Sequence, residues 1–116
     1  MKVYSSDSVP PTDEDHGTGA SIQWLITEKE GAPNFAMRII NVKAGGSTPY
    51  HRHFWEHEVY VIEGDGVVLD EDGKETHVGV GDVVFIPSRE KHQFVNSHEA
   101  TLRFICVIPI NKEAEA

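Results

Sequence analysis

The stretch HRHFWEHEVYVIEGDG, residues 51–66, decides which fold and which kind of site this sequence predicts. Three of its residues are histidines at odd-numbered positions: His51, His53 and His57. Two glutamates, Glu56 and Glu58, stand at even-numbered positions around the last histidine. Side chains on an extended strand alternate between its two faces, so the imidazoles would share one face and the carboxylates the other. Scattered surface histidines rarely show such a pattern, which predicts a metal site with His57, and not a glutamate, as the third ligand.

A straight strand would hold these three imidazoles too far apart to share one ion. Each pair of strand residues advances the chain by roughly 6.6 Å. The chain must therefore bend between His53 and His57, where the bulky pair Phe54-Trp55 stands.

Charge and composition narrow the possible functions of this 116-residue chain, which has the length of one domain. Ten basic and nineteen acidic residues give a formal net charge of −9, whereas nucleic acids and anionic membranes attract basic proteins. Cys106 is the only cysteine, so no intrachain disulfide can form, and a reducing compartment is expected. The sequence has neither the apolar segment of a signal peptide nor an apolar run of about 18 residues that would span a membrane. We therefore expect a cytoplasmic protein that binds neither nucleic acid nor a membrane.

Turn residues divide the chain into short apolar runs that are typical of β-strands. Residues 1–20 are rich in Ser, Asp, Pro and Gly and predict a polar N-terminal arm, extended or mobile. Residues 21–110 contain eight runs rich in β-branched and aromatic residues, and residues 111–116 form a polar tail. The runs are SIQWLIT, FAMRIINV, EVYVIEG, GVVLD, THVGV, DVVFIP, QFVN and ATLRFICVIPI. No long window has a helical apolar period, so we predict an all-β sandwich or small barrel with a hairpin turn at Asp72-Gly73.

The last run, ATLRFICVIPI, alternates between an apolar face and a more polar face. Leu102, Phe104, Cys106 and Ile108 share one face, and Arg103 marks the other. Cys106 is therefore expected to point inward, either as a core filler or as a pocket-lining or reactive thiol.

The opening stretch, with the residues just before it, resembles the first motif of the cupin family, G-x5-H-x-H-x3,4-E-x6-G. Gly45, His51, His53 and Gly64 fall on its fixed positions. The glutamate position of the motif falls on His57, in agreement with the alternation argument.

The stretch GDVVFIPSREKHQFVN is similar to the second cupin motif, G-x5-P-x-G-x2-H-x3-N. Gly81, Pro87, His92 and Asn96 align with it. Arg89 replaces the second glycine, so the geometry of that turn departs from the motif.

With the flanking strands, the resemblance covers about residues 21–110 and implies a single-domain cupin. Its fold would be the double-stranded β-helix, a jelly-roll barrel with the metal inside and almost no helix. The segments APNFAMRIINV, PYHRHFWEHEVYVIEG and FICVIP resemble those of small thermophile cupins with a four-histidine manganese site. This implies one divalent transition metal, manganese first and iron next, with nickel, copper, cobalt or zinc as alternatives. The implied ligands are His51, His53, His57 and His92. A homodimer is also implied, with the N-terminal strand region or one barrel face at the contact.

A set of four neutral imidazoles has definite chemical consequences. Imidazole favours transition metals over calcium and magnesium. An octahedral ion would keep two open positions for water, dioxygen or substrate, whereas tetrahedral zinc would be closed and structural. Because no carboxylate coordinates it, the ion would keep its full formal 2+ charge. Ligand histidines must be deprotonated, so metal loading should weaken below about pH 6.

The resemblance implies an oxidative enzyme, a dioxygenase or peroxide-using oxidase that acts on a small apolar or aromatic substrate. A non-catalytic small-molecule binding or sensor cupin is one alternative. A metal-dependent isomerase or lyase, in which the ion acts as a Lewis acid, is another.

Six residues are candidates for the pocket wall, each with ordinary core packing or strand exposure as the alternative: Arg38, Phe54, Trp55, Phe94, Phe104 and Cys106. Arg38 stands out because it is charged within the apolar run FAMRIINV. The remaining histidines, His16, His77 and His98, do not join the motifs and are expected to be exposed to solvent.

Overall fold

Antiparallel β-strands dominate the computed structural model, which describes residues 1–110. Within these residues the strands are β1 Thr12–Asp13, β2 Thr18–Ile26, β3 Phe35–Ser47, β4 His57–Glu63, β5 Asp65–Leu69, β6 Glu75–Gly79, β7 Val83–Ile86, β8 Gln93–Val95 and β9 Leu102–Pro109. Two single-turn 3₁₀ helices, Ser6–Ser8 and Glu28–Glu30, complete the regular structure. Over the same residues, no helix has the length and apolar character needed to span a membrane. The predicted polar tail, residues 111–116, lies outside the described residues.

The eight predicted strands are all present, and a ninth, β1, lies in the N-terminal arm. β1 pairs antiparallel with β2, and β2 already begins at Thr18. Gln23 on β2 donates hydrogen bonds from its side-chain amide to the carbonyls of Ser6 and Val9, at 3.1 and 3.0 Å. The N-terminal segment is therefore tied to the sheet by a buried amide.

The strands form one curled sheet in the order β6-β5-β8-β3-β9-β4-β7, with β2 also paired to β3. β3 has thirteen residues, enough to pair with β9 along its first part and to meet β8 at its end, where Ser47 lies opposite Val95. Two walls result: a larger wall of β2, β3, β9, β4 and β7, and a smaller wall of β8, β5 and β6. This is the all-β jelly-roll arrangement that the sequence predicted.

The hydrophobic core lies between these two walls. Along β9 every second residue is buried, so Leu102, Phe104, Cys106 and Ile108 face inward as predicted. Phe94 on β8 stacks on Phe104, with ring centroids 4.3 Å apart. Burial of one phenylalanine side chain stabilises a fold by about 1.5–3 kcal/mol, so this pair makes a large contribution to holding the two walls together.

The predicted hairpin turn at Asp72-Gly73 connects β5 and β6. Gly73 has φ +78°, a conformation that glycine adopts at little steric cost. The side chain of Asp70 accepts the amides of Asp72 and Lys74, each at 2.9 Å. Local turn chemistry therefore fixes this end of the smaller wall.

Two residues of the cupin-like motifs join the end of β3 to the connection between β8 and β9. Gly45, with φ +77°, donates its amide to the carbonyl of Asn96 at 2.7 Å. The fully buried side chain of Asn96 donates to the carbonyls of Val42 and Ala100, at 2.9 and 2.7 Å. These bonds set the spacing between the two chain segments that carry the histidines.

Arg89, at the position of the missing motif glycine, adopts the left-handed backbone conformation with φ +73°. Its amide donates to the carbonyl of His53 at 2.6 Å, and the neighbouring Ser88 hydroxyl donates to the carbonyl of Phe54. The turn after β7 therefore holds the histidine-bearing segment in place. A side chain in this conformation costs roughly 1–2 kcal/mol relative to glycine, which identifies the turn as strained.

We predict that the variant Arg89→Gly has a free energy of unfolding about 1 kcal/mol higher than Arg89→Ala. Both substitutions remove the arginine side chain, but only glycine relieves the left-handed strain. Denaturant unfolding of both proteins in metal-free form measures the difference. Equal stabilities, or a more stable alanine variant, would show that this turn is not strained.

Candidate metal centre

Backbone pairing brings the two histidine-bearing segments together. His51 lies opposite His92 in an antiparallel bridge. The amide of His51 donates to the carbonyl of His92 at 3.2 Å, and the amide of His92 donates back at 2.9 Å. The chain then bends at residues 54 and 55, where the sequence requires a bend, before β4 begins at His57.

Three imidazoles meet at this point. One ring nitrogen from each of His51, His53 and His92 lies within 4.8 Å of the others. The Nε2 atoms of His51 and His53 are 3.0 Å apart, close to the roughly 3 Å between neighbouring ligand atoms around an ion with bonds of 2.0–2.2 Å. The ring of His53 stacks on Trp55 with centroids 4.2 Å apart, which restricts its rotation. This group has the donors and the spacing to hold a metal ion.

The backbone fixes the tautomer of His92. Its Nδ1 lies 2.9 Å from the carbonyl oxygen of Glu90, which can only accept a hydrogen bond. Nδ1 must therefore carry the proton, and Nε2 keeps its lone pair. Imidazoles that bind metals commonly donate their second N–H to such an acceptor, so His92 is arranged as an Nε2 ligand.

His57 lies beside the group, with its ring centroid 4.9 Å from that of His92 and 5.1 Å from that of His53. Its Nδ1 is 3.2 Å from Sγ of Cys106, and its Nε2 is buried without a hydrogen-bond partner among residues 1–110. An unsatisfied buried nitrogen costs about 1–3 kcal/mol, and an ion at the histidine group would remove that cost. The group of His51, His53 and His92 therefore fits a transition metal, and the role of His57 as fourth ligand stays a prediction.

The neighbouring glutamates lie away from this group. Glu56 and Glu58 are exposed, whereas His57 is buried. The alternation of β4 produces this difference, since His57, Val59 and Val61 face the core. The geometry thus agrees with the strand register inferred from the sequence.

Burial favours the neutral form of three of the four imidazoles. Desolvation lowers the pKa of His57 to about 2, and the charges of His92 and Arg38 act in the same direction. Desolvation also lowers the pKa of His51 and that of His92. Metals bind the neutral form of imidazole, so these three rings are prepared as ligands at pH 7.

A cavity of about 320 Å³ opens beside the histidines. Its wall includes the four predicted ligands and five of the six predicted pocket residues: Arg38, Trp55, Phe94, Phe104 and Cys106. The sixth, Phe54, is not part of the wall. Its ring packs edge-on against Trp55, with centroids 4.9 Å apart, and its carbonyl accepts the hydrogen bond from Ser88. Phe54 therefore supports the bend.

Arg38 and Cys106 lie in one row across the larger wall. Trp24, Arg38, Cys106 and Val59 are successive cross-strand partners on β2, β3, β9 and β4. Nη2 of Arg38 donates to Sγ of Cys106 at 3.1 Å and lies 3.4 Å from Nδ1 of His57. Burial raises the pKa of the Cys106 thiol, although the charge of Arg38 opposes that change. Cys106 therefore stays a thiol at pH 7 and acts as a hydrogen-bonding neighbour of His57.

Seven further residues of the cavity wall were not predicted from the sequence, and Glu14, His16 and Trp24 are the three that carry a charged, titratable or aromatic group. No motif or alternation marks Glu14 and His16, because only the tertiary fold brings the N-terminal arm to the cavity. His16 is exposed, as expected. Strand alternation could have indicated Trp24, since it shares a strand face with the buried Ile22.

These features define a jelly-roll barrel with a metal-capable histidine group beside a cavity that opens to solvent. The chain belongs to the cupin family, because the cupin domain family matches residues 38–108. An oxalate-binding protein of Thermotoga maritima is 33% identical over 113 residues, which cover 93% of each chain.

Two solved structures extend the comparison. The polyketide cyclase RemF from Streptomyces resistomycificus superposes with a TM-score of 0.90 at 34% identity, over 97% of this chain and 82% of its own. A predicted oxalate decarboxylase from Thermotoga maritima superposes with a TM-score of 0.81 at 27% identity, over 95% of this chain and 100% of its own.

We predict that wild-type protein retains about one equivalent of a divalent transition metal through dialysis against a weak chelator. His53→Ala and His57→Ala should each retain little, because each removes a ligand. Elemental analysis of the dialysed proteins measures the ratio.

Glu56→Ala and Glu58→Ala are the matched controls on the opposite strand face, and they should retain the metal. Full occupancy in His57→Ala would show that this residue is not a ligand. Loss of metal from either glutamate variant would contradict the register.

Proposed function

We propose that this cupin binds one divalent transition metal at His51, His53, His57 and His92. With Arg38, the site would bind and convert a small organic substrate that carries a carboxylate or an enolisable carbonyl group. The reaction class we favour is redox-neutral, an isomerase or lyase type of reaction that passes through an enolate. The position of Arg38 carries this proposal.

Arg38 lines the cavity without a carboxylate partner among residues 1–110. Its guanidinium contacts neutral groups: the thiol of Cys106, the imidazole of His57 and the ring of Trp24, whose centroid is 5.2 Å away. Its buried Nε has no hydrogen-bond partner in the described part of the chain. Arg38 is half-buried, so a counter-ion would stabilise its charge, and the planar guanidinium is suited to a bidentate oxyanion. The substrate is therefore expected to supply the negative charge.

The other groups of the wall have complementary roles. A divalent ion held by the histidines would supply Lewis acidity at a substrate oxygen, and manganese is the ion that we propose, ahead of iron. Arg38 would hold a second oxygen of the same molecule and so orient it. Glu14 and His16, which come from the N-terminal arm, also line the cavity, and carboxylates and imidazoles are side chains that can act as general acids or bases. The buried rings of Phe94 and Phe104 would exclude water.

The relatives support an oxygen-rich substrate. The Thermotoga relative is named for binding oxalate, which is a dicarboxylate. The structural neighbour from Streptomyces is a polyketide cyclase, and a polyketide carries several carbonyl oxygens. A dicarboxylate and a polyketide would each suit a cavity in which the guanidinium of Arg38 lies beside the proposed metal site.

An oxidative enzyme, a dioxygenase or peroxide-using oxidase acting on an apolar or aromatic substrate, is the second candidate function. The aromatic residues of the wall, Trp55, Phe94 and Phe104, favour it. A set of four neutral ligands would also leave two positions of an octahedral ion open. A non-catalytic binding or sensor module is the third candidate, and one set of experiments separates all three.

We also propose a homodimer that forms through the outer face of β4 and β7. Tyr60, Val83 and Phe85 are 48%, 75% and 58% exposed on that face. β7 is an edge strand, and unpaired strand edges favour association. A sedimentation mass near the 12.9 kDa of one chain would contradict this proposal.

We predict that Arg38→Gln retains its metal but binds acetoacetate about 10- to 100-fold more weakly than wild type does. Hydrogen bonds to a charged group contribute about 1.5–3 kcal/mol, and glutamine removes the charge. Isothermal titration of the manganese-loaded proteins measures the affinities.

Arg38→Lys, which keeps the charge but not the planar fork, should fall between the two. Acetone, which lacks the carboxylate, should bind wild type and Arg38→Gln equally weakly. Equal acetoacetate affinities for wild type and Arg38→Gln would contradict the role assigned to Arg38.

The need for dioxygen distinguishes the candidate reactions. Without dioxygen, manganese-loaded protein should accelerate exchange of the C2 protons of acetoacetate with deuterium oxide, as followed by NMR. Metal-free protein and His53→Ala should not. Product formed from phenols or alkenes only with dioxygen or a hydroperoxide would support the oxidative enzyme instead. Ligand binding without exchange or oxidation would support the binding module.

A further inference from the structure

A second group of metal-capable side chains lies on the smaller wall, outside the cavity. Asp65 begins β5, His77 lies on β6, and His98 lies in the loop between β8 and β9. One ligand atom of each residue lies within 4.8 Å of the others. None of the three lines the cavity beside the histidine cluster.

The two imidazoles converge on one carboxylate oxygen. Nε2 of His77 is 3.1 Å from Oδ2 of Asp65, and Nε2 of His98 is 3.7 Å from the same atom. Ligand atoms bonded at about 2.0–2.2 Å to a tetrahedral ion lie about 3.3–3.6 Å apart. Small rotations of these three side chains would therefore be enough to place one ion between their ligand atoms.

Backbone hydrogen bonds hold the positions of these residues, and their ligand atoms are open to solvent. Asp65 lies opposite Gly79 in the hairpin of β5 and β6, so no side chain at that position covers the donors. The amide of His98 donates to Oδ1 of Asn96 at 3.0 Å, and Asn96 is itself buried and anchored. The three donors are therefore presented by ordered backbone.

We propose that Asp65, His77 and His98 form a second metal site that binds zinc or another borderline divalent ion, with water completing the coordination. Two imidazoles and one carboxylate are a donor set of open zinc sites, whereas calcium and magnesium prefer oxygen ligands. The side chains are 40%, 62% and 48% exposed in that order. The site therefore exchanges its ion with solvent more readily than the buried histidine cluster does.

An ion at this site would link the hairpin of β5 and β6 to the loop between β8 and β9. That loop connects β8 and the preceding His92 to β9, which carries Cys106. A ligand that binds only the folded chain stabilises it by mass action. Zinc at this surface would thus stabilise the loop that joins two parts of the cavity wall. This inference does not depend on the proposed reaction.

Zinc titration of the metal-free full-length chain tests the proposal by isothermal calorimetry. Wild type should bind two equivalents, and His53→Ala should keep the weaker, exposed one. In the His53→Ala background, His98→Ala should weaken that remaining site by at least about 100-fold, since loss of even an outer-shell partner costs 10- to 100-fold. Glu75→Gln, on the same face of β6 but outside the group, is the matched control and should leave the affinity unchanged.

Paramagnetic copper(II), added in small amounts to the His53→Ala protein, locates the site in amide NMR spectra. Selective broadening at residues 65, 77 and 98, lost in the His98→Ala protein, would support the proposal. The same spectra report whether each variant is folded. Unchanged zinc affinity after His98→Ala, or broadening centred elsewhere, would overturn it. Binding of a single equivalent by wild type would overturn it as well.

Discussion

The backbone bridge between His51 and His92 is the contact on which the candidate metal centre depends. Forty-one positions separate these residues along the chain, and two reciprocal hydrogen bonds place them directly opposite each other. The hydrogen bond from the Arg89 amide to the His53 carbonyl extends the same junction past the bend. The imidazoles therefore converge because main-chain groups hold the two segments in register. Their side chains need little reorganisation to share an ion.

The identity of residue 57 determines the charge of the cavity. The cupin motif has glutamate at this position, and a carboxylate here would lie close to Arg38, whose Nη2 is 3.4 Å from the imidazole. Such a pair would neutralise the guanidinium. With histidine at position 57, Arg38 keeps its positive charge, and a metal ion bound at the histidines would keep its own. A metal-loaded cavity would then be cationic within a chain whose net charge is −9, which is the basis for proposing an anionic substrate.

Local pattern was sufficient to predict much of this architecture. Alternation placed Cys106 inward and separated His57 from Glu56 and Glu58, since strand geometry has a period of two residues. The bend at Phe54-Trp55 was required because a straight strand would hold the three imidazoles too far apart to share one ion. These inferences succeeded because each depends on only a few neighbouring residues.

Contacts between distant segments could not be predicted in the same way. The hydrogen bonds that join Arg38, Cys106 and His57 link three strands, and their existence depends on the cross-strand register. His77 and His98 are exposed as expected, but nothing in their sequence context indicates that both approach Asp65. Pairing across the barrel, which no local pattern encodes, sets these contacts.

X-ray absorption at the manganese K-edge of the metal-loaded protein tests the central claim most directly, because it counts the imidazoles bound to the ion. The four-histidine proposal predicts four histidine nitrogens and two oxygen ligands in wild type. His57→Ala should lose one imidazole from the residual bound metal. Three imidazoles in wild type, with an unchanged spectrum in His57→Ala, would contradict the four-histidine centre and leave His57 as a partner of Cys106 and Arg38 alone.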